Sequence, residues 1–318
     1  MAGPIAVAIH GGCGTLAPEL QSAAEWEATR ADLAASLRAA WAILGKGGSA
    51  LDAVEAAVVV LEDSPHFNAG HGAALTEAGE HELDASIMDG ATLAAGAVCT
   101  VRAIRNPIRA ARAVMERSGC VLIAGAGADD FARRSGLEMV ENSYFTTQRR
   151  IEALASLKAR AGRGTIGQAS EAERHGTAGA VALDGNGNLA AATSTGGYNN
   201  KPAGRVGDTP IIGAGTYARN GLCAVSCTGQ GEAFMRGVAA HDIAARIEYA
   251  RQSLAQAADV VVLQLLSAQR VGAGLVAIDA AGRIRAPFNT SGMARGWIDA
   301  DGAAYVATHK EIHPVETA

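Results

Sequence analysis

Just past the midpoint of the chain, a threonine follows a glycine and leads into a small apolar run, in His175-Gly176-Thr177-Ala178-Gly179-Ala180-Val181-Ala182-Leu183. If the chain is cut between Gly176 and Thr177, Thr177 carries a free α-amine beside its hydroxyl, and that pairing is one form of activated nucleophile. Ahead of it, Ala161 to Arg174 are polar and rich in Gly and Ser, which predicts an exposed, flexible tether over 161–176. Three later segments place polar residues where packing alone would not ask for them. Thr193-Ser194-Thr195-Gly196-Gly197 closes an apolar run with three hydroxyls, and reads either as a hydroxyl-lined turn or as part of a site. The loop Asn199 to Asp208 presents Arg205 and Asp208 three residues apart. They are a solvated pair or a pair for an amino acid, whose carboxylate suits a guanidinium fork and whose ammonium suits an aspartate. In Ser226-Cys227-Thr228-Gly229-Gln230-Gly231-Glu232, the Thr228 hydroxyl and Gly229 N–H are placed to stabilise an oxyanion, while Thr228 is equally a helix cap.

The elements that must position these groups follow from pattern. Ile5 to Ile9 reads as a buried strand, and His10-Gly11-Gly12 as a tight turn at its end. Glu19 to Leu44 reads as a helix stopped by Gly45; Ser49 with Asp52 opens a second, through Val60. Leu93 to Val101 and Cys120 to Ala124 are strand-like, Asn106-Pro107 opens a helix, and Thr147 to Ala159 forms another. Past the tether, Thr177 to Leu183 and Leu189 to Thr195 flank Asp184-Gly185-Asn186-Gly187, a strong hairpin signal. Leu222 to Cys227 is a further strand. Helices are expected at Glu232 to Tyr249 and Ser253 to Leu266, and a last hairpin around Asp279-Ala280-Ala281. Tight hairpins imply antiparallel pairing, so a layered sheet sandwich flanked by helices fits better than a doubly wound parallel sheet. Neither side of the tether looks self-sufficient, so one domain with a shared core is expected over 1–318.

Composition narrows the partners. The 318 residues are 49% hydrophobic, with 39 glycines and a formal net charge of -5. Scattered Lys and Arg argue against nucleic acid, and no apolar run is long enough for a membrane span. Without framework spacing, the five cysteines read as reduced core residues of a cytoplasmic protein, and no signal peptide is expected. Gly213-Ala214-Gly215-Thr216-Tyr217-Ala218 matches a loose dinucleotide pattern without the βαβ unit that would support it. His66, His71 and His81 fit no common zinc spacing. Cys223 and Cys227 read as packing residues on one strand face.

Together these segments resemble the plant-type asparaginases and isoaspartyl peptidases, which are N-terminal-nucleophile hydrolases. The resemblance runs through His10-Gly11-Gly12, Leu61 to Gly72, His81 to Ala85, Gly176 to Ala182, Ser194 to Asp208, Ser226 to Glu232 and Phe288-Asn289-Thr290. It implies an α+β fold with a four-layer αββα sandwich. It also implies self-cleavage at Gly176–Thr177 into an α subunit, 1–176, and a β subunit, 177–318, assembled as a dimer of αβ units. The implied activity is hydrolysis of L-asparagine and of β-aspartyl dipeptides. Thr177 would be the nucleophile, Thr195 its orienting hydroxyl, and Thr228 with Gly229 the oxyanion hole. Arg205 and Asp208 would anchor substrate, with Gly231 beside it and Asn68 near the nucleophile. No cofactor is implied for catalysis. A structural sodium would sit among backbone carbonyls of Leu61, Glu62, Ser64, Phe67, Ala69 and His71. Cys13 stands where the family commonly has Ala, and Tyr198 where some members have Met, which bears on substrate preference. Other readings are a glycosylasparaginase-like amidase, favoured less because Gly rather than Asp precedes Thr177, and an uncleaved, non-catalytic binding protein of the same fold.

Overall fold

The computed structural model describes residues 3–14, 21–161 and 176–317; the expected tether, apart from its end residues 161 and 176, lies outside them. Strand β1 (Ala6–Gly14) is followed by helices α1 (Ala23–Leu44) and α2 (Ala50–Asp63). Helix α1 begins at Ala23 rather than near Glu19. Ser22 sets that boundary, since its hydroxyl accepts from the Glu25 N–H while the Glu25 carboxylate accepts from the Ser22 N–H. Ser49 caps α2 by accepting from the Asp52 N–H at 3.0 Å. Next come β2 (Leu83–Asp89), β3 (Ala95–Val101), α3 (Pro107–Arg117), β4 (Leu122–Ala124), α4 (Gly125–Arg134) and α5 (Gln148–Ala161). After the junction at Thr177 follow β5 (Ala178–Leu183), β6 (Leu189–Thr195), β7 (Thr216–Arg219) and β8 (Cys223–Gly229). Three helices, α6 (Gly231–Gly237), α7 (Ala239–Ala250) and α8 (Leu254–Asp259), continue into a π-helical segment, Val260–Leu266. The chain closes with β9 (Ala273–Asp279), β10 (Ile284–Arg285), β11 (Gly292–Ile298), β12 (Ala304–Ala307) and β13 (His313–Val315).

The strands form two sheets, ordered β13-β12-β11-β1-β5-β6-β2-β3-β4 and β10-β9-β8-β7. Pairing is antiparallel except between β3 and β4. The hairpin at Asp184 to Gly187 holds β5 and β6 in register from Ala178↔Ser194 to Leu183↔Leu189. Apolar side chains gather in three places. Leu33, Leu37, Val54, Val58 and Ile108 of the early helices pack on Ile9, Ile87 and Val98 of the larger sheet. Ala8, Val181 and Ala191 of that sheet share a second cluster with Ala224, Val276 and Ile278 of the smaller one. Phe234, Ile243 and Val262 of the later helices cover Val225 and Leu275. The small side chains of β1, β5 and β6 let the two sheets come close.

Three expectations need correction, and several elements were not anticipated. His10-Gly11-Gly12 does not end the first strand: β1 runs on to Gly14, and its register against β11 shifts between His10 and Gly12. A bulge inside a paired strand uses the same glycines that a turn would. The helix expected over Glu232 to Tyr249 is broken at Val238, which takes φ 47° between α6 and α7. Strands β2, β7 and β11 to β13 and helix α4 go beyond the pattern reading; β2 is buried on nearly every residue and has no alternation to detect. Cys120 is exposed, unlike the other four cysteines; none of the five is in a disulfide.

One contact sets how closely α3 lies on the sheet. A Cβ added at Gly96 would fall 2.0 Å from the Ala111 carbonyl oxygen and 2.5 Å from the Met115 nitrogen. Gly96→Ala is therefore expected to destabilise the fold by about 2 kcal/mol or more, measured as a lower midpoint in urea unfolding.

Candidate active site

The β5–β6 hairpin places Thr177, just before β5, beside Thr195 at the end of β6. Their hydroxyl oxygens are 3.4 Å apart. Thr195 Oγ1 donates to the Gly176 carbonyl at 3.0 Å and accepts from the Gly197 N–H at 3.0 Å. The Gly176 carbonyl takes a second bond, at 2.8 Å, from Asn68 Nδ2. Asn68 is itself held at both ends: its Nδ2 also donates to the Gly197 carbonyl at 2.6 Å, and its Oδ1 accepts from the Ala74 N–H at 2.6 Å. Gly12, at φ +108°, lies against this junction, and a Cβ there would stand 2.8 Å from Gly176 Cα. The bulge in β1 thus exists where the peptide between Gly176 and Thr177 must pass.

A pocket opens from this junction, lined by Thr177, Thr195, Tyr198, Arg205, Asp208 and Gly229 among others. Arg205 is fixed on two sides. Its Nε and Nη2 donate to Glu232 Oε1 at 3.0 and 2.9 Å, and its guanidinium carbon lies 4.7 Å from the centre of the Tyr198 ring. Asp208 is almost fully buried, and its Oδ2 has no hydrogen-bond partner among the described residues. Burial pushes its carboxyl up to about 7, against a smaller opposing pull from its own backbone and Arg205. Gly231 makes this packing possible: a Cβ there would come within 2.7 Å of Asp208 Oδ1. A cation and an anion across a small cleft suit a zwitterion.

Thr228 is fully buried and sits inside β8, so it does not cap α6; Gln230 occupies that position without a side-chain cap. Its hydroxyl oxygen accepts from the Cys13 N–H at 3.3 Å, and its carbonyl from the Cys13 thiol at 3.4 Å. With the accepting side engaged, the Thr228 O–H is free to donate. Of the expected site residues, Gly176, Thr177, Thr195, Arg205, Asp208 and Gly229 line one pocket, and Asn68 and Gly231 buttress it from behind. Thr228 stands next to it through Gly229.

The side-chain roles of Glu232, Lys201 and Glu62 escaped the sequence reading, as did the stacking of Tyr198, a residue it had singled out only for substrate preference. Glu232 and the stacking of Tyr198 orient Arg205. Lys201, in the same loop, is fully buried, donates to the Glu82 carbonyl at 2.6 Å, and has its ammonium pKa lowered by burial despite Asp84 nearby. The Glu62 side chain is also fully buried; its Oε1 accepts from Ser194 Oγ at 2.6 Å and from the Ile108 N–H at 3.0 Å. Burial raises its carboxyl to about 8, more than those two bonds lower it. A charged residue in a polar loop or helix gives no sign of burial before the fold is known, so none of these had a usable signal except the nearness of Glu232 to Gly231.

In the loop after α2 backbone carbonyls crowd the glycines, and that of Glu62 accepts from the His71 N–H at 2.7 Å. A Cβ at Gly70 would meet the Glu62 carbonyl oxygen at 2.3 Å, and one at Gly72 would meet those of Pro65 and Phe67 at 2.8 Å. Such uncharged oxygen donors fit a hard monovalent cation. Among the described residues no group of three His, Cys, Asp or Glu could hold a metal ion. His66 instead bonds Asp32 Oδ2 at 2.7 Å, and His81 bonds Thr146 Oγ1 at 2.9 Å.

A family model described as Asparaginase matches residues 3–308, and the chain belongs to that family, whose fold is of the N-terminal-nucleophile hydrolase type. It is 49% identical over 300 residues to the isoaspartyl peptidase of Escherichia coli K12, covering 93% of each chain. It is 40% identical over 317 residues to the isoaspartyl peptidase/L-asparaginase of Xenopus laevis, covering 98% of each. Over 291 residues it is 40% identical to the human isoaspartyl peptidase/L-asparaginase, covering 91% of each.

The Asp208 shift has a direct consequence. Below about pH 7 the free carboxyl takes up a proton and loses its attraction for an ammonium group. Affinity for L-aspartate is expected to fall as the pH drops below that value, at most about tenfold per unit. Calorimetric titration across the range checks this, with Asp208→Asn expected to bind weakly and without that dependence.

Proposed function

We propose that the chain is a self-processing amidohydrolase that converts L-asparagine to L-aspartate and ammonia and cleaves β-aspartyl dipeptides, with Thr177 as nucleophile. The observation that carries the reading is the Gly176 carbonyl, held by Asn68 and Thr195 beside the Thr177 hydroxyl. Two donors on one carbonyl oxygen favour the negative charge that forms there when a hydroxyl adds to the carbon. Thr177 Oγ attacks the Gly176 carbonyl carbon, the peptide nitrogen leaves as the new α-amine of Thr177, and water resolves the ester. The α subunit then ends at Gly176 and the β subunit begins at Thr177.

In the mature site the α-amine acts as general base, since free α-amines titrate near 7.7–8.0. Arg205 takes the substrate carboxylate, and Asp208 Oδ2, without a partner among the described residues, takes the ammonium. Thr177 Oγ attacks the side-chain amide carbonyl, whose oxygen is stabilised by the Thr228 hydroxyl and the Gly229 N–H. Ammonia or an amino acid leaves, and water frees aspartate from the acyl-enzyme. The relatives named for both isoaspartyl peptidase and L-asparaginase activity support this substrate range.

The same reading includes finer points. The three apolar clusters support a four-layer αββα order. The carbonyls of Leu61, Glu62, Ser64, Phe67, Ala69 and His71 would hold a sodium ion that stiffens the loop carrying Asn68 and takes no part in the chemistry. No described helix is long and apolar enough to cross a membrane, and five cysteines without a disulfide suit the reducing cytoplasm. Two αβ units assemble as a heterotetramer, acting on small molecules rather than nucleic acid.

Thr177→Ala is expected to leave one uncut chain on a denaturing gel and to release no ammonia from asparagine; a processed, active variant would refute the assignment. Arg205→Ala is expected to raise KM by about tenfold to a hundredfold, the worth of a hydrogen bond to a charged group, as read from steady-state kinetics.

A further inference from the structure

Between the two sheets runs a series of fully buried polar side chains that the reaction above does not use. Ser86 Oγ lies 2.8 Å from Thr216 Oγ1, which lies 2.6 Å from Thr193 Oγ1. Thr193 Oγ1 lies 2.7 Å from Ser226 Oγ, and Ser226 Oγ lies 2.9 Å from His10 Nε2. The series ends where His10 Nδ1 meets the Thr177 carbonyl at 3.0 Å. Its members come from five strands, β2, β7, β6, β8 and β1, and all are wholly inaccessible to solvent.

The direction of each bond from Thr216 to Thr177 follows from the last one, while the single proton of Ser86 has two acceptors within reach, Thr216 Oγ1 and the Thr209 carbonyl. A carbonyl only accepts, so Nδ1 must carry the proton. Burial lowers the His10 pKa to about 3, so the ring is neutral and Nε2 is an acceptor. Ser226 therefore donates to His10, Thr193 to Ser226, and Thr216 to Thr193. Ser86, at the far end, is also 2.6 Å from the carbonyl of Thr209, the neighbour of Asp208. Space for the arrangement comes from Gly179. It pairs with His10 on one side and Thr193 on the other, and a Cβ there would stand 2.0 Å from Ser226 Oγ and 2.5 Å from His10 Nε2. A missing side chain in the larger sheet is thus the gap through which Ser226 reaches from the smaller one.

We propose that His10 is a positioning residue for Thr177, its ring held with Nδ1 toward the Thr177 carbonyl by Ser226 and the hydroxyls behind it. The inference rests on Thr177 being the nucleophile. Once the peptide before it is cut, Thr177 is tethered only through its carbonyl carbon. Rotation about its Cα–C bond then decides where amine and hydroxyl point, and the hydrogen bond from Nδ1 holds the peptide plane from which that rotation is measured. Small errors in such aim lower rates steeply.

The test compares two substitutions with opposite reach. In His10→Asn the amide nitrogen takes the place of Nδ1, whereas in His10→Gln it takes the place of Nε2. Relative to wild type, His10→Gln is expected to slow self-cleavage on a denaturing gel. After processing it should lower kcat for L-asparagine by about tenfold or more, with KM within about twofold. His10→Asn is expected to recover most of both losses at an equal unfolding midpoint. A purely structural role for His10 predicts no such difference between the two amides. Ser226→Ala removes one oxygen without touching the backbone and should show the same loss of kcat, which keeps the test open if a His10 variant does not fold. Wild-type turnover by His10→Gln, or no recovery in His10→Asn, overturns the proposal. A wild-type protein that neither cuts itself nor hydrolyses asparagine refutes the reading of Thr177, whereas an active wild type with indifferent His10 variants refutes this inference alone.

Discussion

The carbonyl oxygen of Gly176 is buried, and two donors from distant parts of the chain converge on it. Asn68 arrives from the loop after α2 and Thr195 from the end of β6. A buried polar group left without partners costs about 1–3 kcal/mol, so this oxygen can be buried only where both segments meet it. The demand spreads outward. Asn68 needs the Gly197 carbonyl and the Ala74 N–H, and Thr195 needs the Gly197 N–H. β1 needs a bulge at Gly12 to clear the peptide. The larger sheet, the loop after α2 and the anchor loop are thereby placed relative to one junction.

Charges near that junction are arranged at a cost to the empty protein. Asp208 Oδ2 is buried and has no partner among the described residues, and Lys201 is buried with its charge opposed by desolvation. Buried charges of this kind are weak evidence for stability. They make sense if a ligand completes them: an ammonium group meets the acceptor that Asp208 leaves open. Arg205, meanwhile, is held by Glu232 and by the face of Tyr198, so its fork needs little ordering when a carboxylate arrives.

Local pattern was enough for some elements and not for others. The β5–β6 hairpin was legible because Asp184-Gly185-Asn186-Gly187 between two apolar runs is a short-range signal with a specific backbone meaning. Gly11 and Gly12 were legible as a place where the backbone departs from regular geometry, but a bulge differs from a turn only in the partner strand, β11, whose Ala294 pairs with Gly12 from the far end of the chain. The break at Val238 had only a weak sequence marker, Gly237 just before it, and valine itself is a poor candidate for a left-handed conformation. Glu62, Lys201 and His10 were misjudged or passed over for a related reason. Ionisable side chains are usually solvated, and only the surrounding fold reveals that these three are not.

By itself the sequence determined the chemical inventory: a threonine after a glycine, a guanidinium and a carboxylate three residues apart, and a hydroxyl beside an unhindered N–H. These are properties of residue type and spacing, and they persist in any conformation. Only the tertiary structure decided which of them meet. It put His10 against the carbonyl of a residue 167 positions later, and Ser226 behind that same ring. It also raised the Asp208 carboxyl by burying it. The physical reason is that propensity and turn chemistry act over a few residues, whereas desolvation and the pairing of buried polar groups depend on everything that folds around them.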